Sequence, residues 1–147
     1  MMFMNERMDP VAFKQWLEKR TKDFAVATFK LLDALPKRNS IRVIAFQLGK
    51  SSSSIGANYR EANRAESRED FRHKVSIATK EAAESAYWFE ILGELFPMHQ
   101  VIRDLATECS ELRNLFQSIS QSSRGQTGRR KVAASESNNP NNQTIKQ

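Results

Sequence analysis

Apolar residues recur along most of the chain at alternating steps of four and three. Phe13, Leu17, Phe24, Ala27 and Leu31 follow this spacing, with one seven-residue step. So do Ile41, Ala45, Leu48, Ser52, Ile55, Tyr59 and Ala62. A third series runs Phe71, Val75, Ala78, Ala82, Ser85, Phe89, Leu92, Phe96, and a fourth runs Ile102, Leu105, Cys109, Leu112, Phe116, Ile119. Such a rhythm keeps one apolar stripe on one side of a helix. No run alternates with period two, so no strand pattern competes.

Punctuation sets the ends. Asp9 followed by Pro10 is a cap followed by proline at the first helical position, and it predicts a helix from about residue 10 to 34, closed by Pro36. The turn LPKRNS precedes a second helix at about 38–64. Ser67 and Asp70 form a capping signal for a third, which Pro97 ends. The stretch SSSSIGAN at 51–58 looks like a linker, but the apolar register passes straight through it. A serine in a helix can bond back to a carbonyl one turn earlier, so the second helix is predicted to be continuous. Short connections and a 3.5-residue period predict an all-α fold, an antiparallel up-and-down four-helix bundle over residues 1–120. From 121 to 147 the chain is rich in Ser, Asn and Gln and predicts a disordered polar tail with a basic cluster, Arg129, Arg130 and Lys131.

Two helices carry a second strip. On the second helix it is small: Gly49, Ser53 and Gly56. On the third it is apolar: Ile77, Trp88 and Ile91, with Leu95. The small strip suits close approach of a helix, either within one bundle or across a subunit contact. The two strips together leave more apolar surface than a monomer hides, and they predict an oligomer interface.

Composition adds limits. Cys109 is the only cysteine, so an intramolecular disulfide is excluded, and its place in the apolar stripe predicts an inert buried thiol. No stretch has the roughly 18 apolar residues of a membrane span. The opening MMFMNERMDP lacks the apolar region of a secretory signal. The expectation is a cytoplasmic protein with no membrane partner.

The formal net charge is +6, unevenly spread. Residues 37–80 hold ten Lys or Arg against four acids, while residues 81–120 hold two against seven. Lys50, Arg60, Arg64, Arg68 and Arg72, with the tail cluster, are the candidate nucleic-acid contacts. Helix-surface cations grip phosphates without reading bases, so the partner is RNA or DNA with low sequence specificity. Solvation of charged faces and pairing between subunits remain open for the same residues.

Catalytic patterns are sparse. Glu61, Glu81 and Glu84 are expected to form a structural polar network with Asn58 and Lys80 or Lys74. Neither His73 nor His99 follows a glutamate by three, so a two-metal bundle site lacks its motif. No metal, no cofactor and no catalytic residue is predicted, and the protein is not expected to be an enzyme.

The stretch QLGKSSSSIGANYREA, followed by DFRHKVSIATKEAAESAYWFEIL, resembles the four-helix-bundle family encoded in intervening sequences of bacterial 23S ribosomal RNA genes. Ser54, Ile55, Ala57, Asn58, Glu61 and Ala62 fit the motif of that family's second helix. Asp70, Phe71, Lys74, Ile77, Ala78, Lys80, Glu81, Glu84, Tyr87 and Trp88 fit its third. Gly49 and Ser52 depart from the pattern. The resemblance implies a homopentamer of four-helix subunits. It extends to the accessory variability proteins of diversity-generating retroelements, basic pentamers that bind nucleic acid and a reverse transcriptase. A protein-interaction scaffold, or an accessory subunit without nucleic-acid binding, is the competing function. Steep salt dependence of nucleic-acid binding separates the two.

Overall fold

The structure, a computed structural model, describes residues 8–136, with side chains to residue 125. Four helices follow in order: α1 Pro10–Ala34, α2 Asn39–Asn63, α3 Arg68–Leu95 and α4 Gln100–Glu136. Each begins or ends for a local reason. Asp9 caps α1, its carboxylate accepting from the backbone N–H of Val11 at 2.8 Å and of Ala12 at 3.1 Å. These are donors that the first turn of a helix cannot satisfy internally. Ser67 caps α3 by accepting from Asp70 N–H at 3.0 Å, and Glu69 and Asp70 lie in the first turn, where the helix dipole favours acids. Before Pro36, Leu35 leaves the helix in an extended conformation.

The serine run is helix. Ser53 donates to Gly49 O at 2.8 Å and Ser54 to Lys50 O at 2.7 Å, each reaching back one turn. Ser51 and Ser52 are buried. Small side chains are needed there, because α2 packs against α3 through the most extensive contact in the bundle.

The core fills the space between the four stripes. Leu48, Ile55, Val75, Leu92, Leu112 and Phe116 are completely or almost completely hidden. Aromatic pairs cross it on both diagonals. Phe24 of α1 meets Phe89 of α3 with ring centroids 6.0 Å apart, and Tyr59 of α2 meets Phe116 of α4 edge-on at 5.4 Å. The contact between α1 and α4 is the least extensive of the four. Charge closes it: the Arg20 guanidinium donates to both carboxylate oxygens of Glu108, at 2.7 and 2.8 Å, and to Glu111 at 2.7 Å. Its guanidinium also lies over the Trp16 ring, 5.3 Å from the centroid.

The apolar stripe of α4 ends at Ile119, but the helix continues to Glu136. Residues 121–136, expected as the start of a tail, are therefore helical. With proline absent between residues 98 and 139, nothing in the backbone forces a stop. The rest of the expected tail, 137–147, lies outside the described residues. No helix among the described residues is long and apolar enough to cross a membrane.

Candidate nucleic-acid interface and docking faces

The turn between α2 and α3 carries the arginines. Arg60 lies in the last turn of α2, Arg64 is the residue just past its end and Arg68 opens α3; all three are exposed, and Arg72 is half-buried. Arg60, Arg64 and Arg68 make no ion pair among the described residues. Lys50, the other basic candidate on α2, is exposed three turns away, near the middle of the helix.

The acids of the basic block are confined to this same turn. Glu61, Glu66, Glu69 and Asp70 are the four carboxylates of residues 37–80. Glu61 is taken up by Lys74, whose ammonium lies 2.6 Å away and is held more firmly protonated by that contact. Glu69 and Asp70 serve the start of α3. Residues 37–60, by contrast, hold five cations and no acid.

Helix direction adds the next element. α4 runs antiparallel to α3, so its C-terminal part returns to the end of the bundle where α3 begins. Counted at 1.5 Å per residue, the 28 residues of α3 are matched by α4 out to about residue 127. Residues 124–131, with Arg124, Arg129, Arg130 and Lys131 and no acid, thus reach the level of the α2–α3 turn. The side chains of Arg129, Arg130 and Lys131 lie outside the described ones; Arg124 is exposed.

The expected oligomer strip on α2 requires correction. Gly49 and Gly56 are buried inside the bundle. A Cβ on Gly56 would meet Thr21 Oγ1 of α1 at 2.9 Å, and one on Gly49 would meet the Phe29 ring at 3.0 Å. The small residues let α1 approach α2, so they are not available to a second subunit. Ser53 is half-buried and bonds within its own helix. The α3 strip differs: Ile77, Trp88 and Ile91 are half-buried and Leu95 is 50% exposed.

The predicted polar network also divides. Asn58 bonds to Ser54 O of its own helix at 2.8 Å. Glu61 pairs with Lys74 at one end. Glu81 and Glu84 lie farther along α3, where Glu84 accepts from Trp88 Nε1 at 3.4 Å and Lys80 is exposed. Partial burial, together with the charge of Glu84, raises the Glu81 carboxyl above its ordinary value against the opposing effect of Lys50. Two groups of charges more than a helical turn apart replace one network. Among the described residues, no three His, Cys, Asp or Glu side chains gather closely enough to hold a metal ion.

Sequence reading missed Arg20 and its two acids. The available signal was Glu108 and Glu111, spaced three apart on one face of α4.

Residues 15–118 match the family described as 23S rRNA-intervening sequence protein. The chain belongs to that family. A solved structure agrees: a crystal structure of a protein of unknown function from the S23 ribosomal protein family of Bacteroides thetaiotaomicron is 35% identical. The similarity covers 70% of this chain and 96% of that one, with a TM-score of 0.64. No curated protein matches. In this member of the 23S rRNA-intervening sequence family, the matched segment ends at residue 118, next to the end of the α4 apolar stripe. The α4 continuation with its four cations lies beyond the match.

Proposed function

We propose that the protein is a non-enzymatic, self-associating helical bundle that binds RNA or DNA through its α2–α3 end. The homopentamer implied by the family resemblance is the assembly expected. The observation carrying the nucleic-acid reading is the shared end. Three exposed arginines without carboxylate partners and the basic continuation of α4 come to the same pole of the bundle. Either cluster alone is modest. Together they give phosphates several contacts at once, and a symmetric assembly repeats them. The arginines of that turn are not interleaved with aromatic residues in the sequence, so they grip phosphates without stacking bases and sequence preference is low. A reverse transcriptase or other protein partner is compatible with the same surface.

Replacing Arg60, Arg64 and Arg68 together by glutamate tests it. Fluorescence anisotropy with a labelled RNA and a labelled DNA, at two salt concentrations, should show weaker binding on every sequence and a flatter salt dependence. Removing residues 121–147 should give a smaller fall. If the wild-type protein binds neither probe at low salt, or if the triple reversal leaves affinity unchanged, the protein is a scaffold without nucleic acid. Elemental analysis of the purified protein tests the non-enzymatic reading, and about two iron or manganese ions per chain would overturn it.

A further inference from the structure

Between α3 and α4, in the half of the bundle nearer their turn, the surface opens into a groove of about 260 Å³. Its floor is small and apolar, with Ala86 and Gly93 from α3 and Ala106 from α4. A Cβ on Gly93 would find no atom within 4 Å, so no neighbouring side chain fills the groove there. On α4 the lining residues Arg103, Ala106, Ser110 and Arg113 follow steps of three and four, which keeps them on one helix face.

The two arginines of the groove differ. Arg103 is tied at the turn, donating to Pro97 O at 2.6 Å and to Gln100 Oε1 at 2.7 Å. Arg113 is half-buried and makes no hydrogen bond or ion pair among the described residues. A guanidinium that gives up part of its water without a partner favours an anion from outside. Side chains lean toward the N-terminus of their helix, so Arg113 reaches back over Ser110 toward Ala106. Its charge also acts on the buried Cys109 thiol, against the effect of burial. Glu90, the carboxylate of the groove, forms no ion pair with it. The bond from Cys109 Sγ to Ala82 O fixes the register of α3 against α4. Counted from that bond, the Glu90 and Arg113 backbones stand about 18 Å apart along the bundle, at 1.5 Å per residue.

The geometry points to a binding site for a small monocarboxylate with an apolar body, a planar ring or a short chain. The Arg113 guanidinium and the Ser110 hydroxyl hold the carboxylate, and the body lies on Ala106, Ala86 and Gly93. One free guanidinium matches one negative charge. Glu90 at the far end repels a second. The volume lies just under the roughly 300 Å³ at which pockets for drug-sized ligands begin, so the ligand is small. The groove is separate from the α2–α3 end, and its occupation does not depend on nucleic-acid binding.

The test uses 4-fluorobenzoate as the probe and fluorine NMR line broadening on the full-length protein. The wild type should bind it at millimolar concentration and bind uncharged 4-fluorobenzyl alcohol at least about tenfold more weakly, as loss of a charge-assisted bond requires. Arg113→Gln should weaken the carboxylate by about tenfold and leave the alcohol unchanged. Gly93→Leu should fill the groove and weaken both. Lys14→Gln, which removes an exposed cation of α1, should change neither. Circular dichroism checks that each variant keeps its helices. A wild-type protein that leaves the probe unbroadened would overturn the site. Equal binding of acid and alcohol, or equal losses in Arg113→Gln and Lys14→Gln, would overturn the role of Arg113. Binding that survives Gly93→Leu would overturn the groove as its location.

Discussion

Ser85 of α3 donates its hydroxyl to Ser51 of α2 at 2.8 Å, and both side chains are buried. Ser51 in turn donates to Leu48 O at 3.3 Å. The pair is therefore directional. Ser51 keeps a carbonyl partner if Ser85 is lost, while Ser85 loses its acceptor if Ser51 is lost. Ser51→Ala should cost roughly 1–2 kcal/mol, more than Ser85→Ala, and the double alanine variant should resemble Ser85→Ala alone. Urea denaturation of the three variants measures this, and a larger cost at Ser85 would contradict it.

Gly56 and Gly93 should respond oppositely to alanine. At Gly56 the added carbon meets Thr21 Oγ1 at 2.9 Å and Thr21 backbone carbon at 3.5 Å. Thr21 is fixed by its own bond to Leu17 O, so α1 must shift. The expected loss is about 1–3 kcal/mol, partly offset by the better helix propensity of alanine. At Gly93 nothing lies within 4 Å, so propensity acts alone and the gain is up to about 1 kcal/mol. Thermal melts give both signs.

Glu81 predicts a pH dependence. Its carboxyl is raised in the folded protein, first by desolvation and then by Glu84. Below the ordinary carboxylate value both states hold the proton and nothing is lost. As pH rises through the unfolded and then the folded value, the unfolded state ionises more readily and stability falls. Glu81→Gln should therefore raise the melting temperature at pH 7 and leave it nearly unchanged near pH 4. A gain of equal size at both pH values would show that the effect is not ionisation.

Cys109 should be inert. Burial pushes its thiol up to about 12, and the sulfur donates to Ala82 O at 3.4 Å. Native protein at pH 8 should resist iodoacetamide, and denatured protein should react within the same interval. Rapid native labelling, read by mass spectrometry, would show that the α3–α4 packing opens.

Much of this protein is written in local pattern. Helix periodicity, the caps at Asp9 and Ser67, and the stops at Pro36 and Pro97 act over a few residues, so the sequence alone determined the four helices, their core stripes and the continuity of α2 through its serines. The motifs on α2 and α3 likewise pointed to the family. What lay beyond local pattern was the choice of neighbour for each flank. Gly49, Ser53 and Gly56 announce a close approach, but spacing along one helix carries no information about which helix approaches; Thr21 and Phe29 of α1 supply the answer. Arg20 and Glu108 are 88 residues apart and meet only because α1 and α4 close the bundle. Asn58, Glu61 and Glu81 share a sequence neighbourhood of polar residues, yet rotation around the helix axes and distance along them separate their partners. The two basic clusters stand more than 50 residues apart in the chain. Helix direction alone brings them to one end, since an antiparallel partner returns its C-terminus to the level where its neighbour begins.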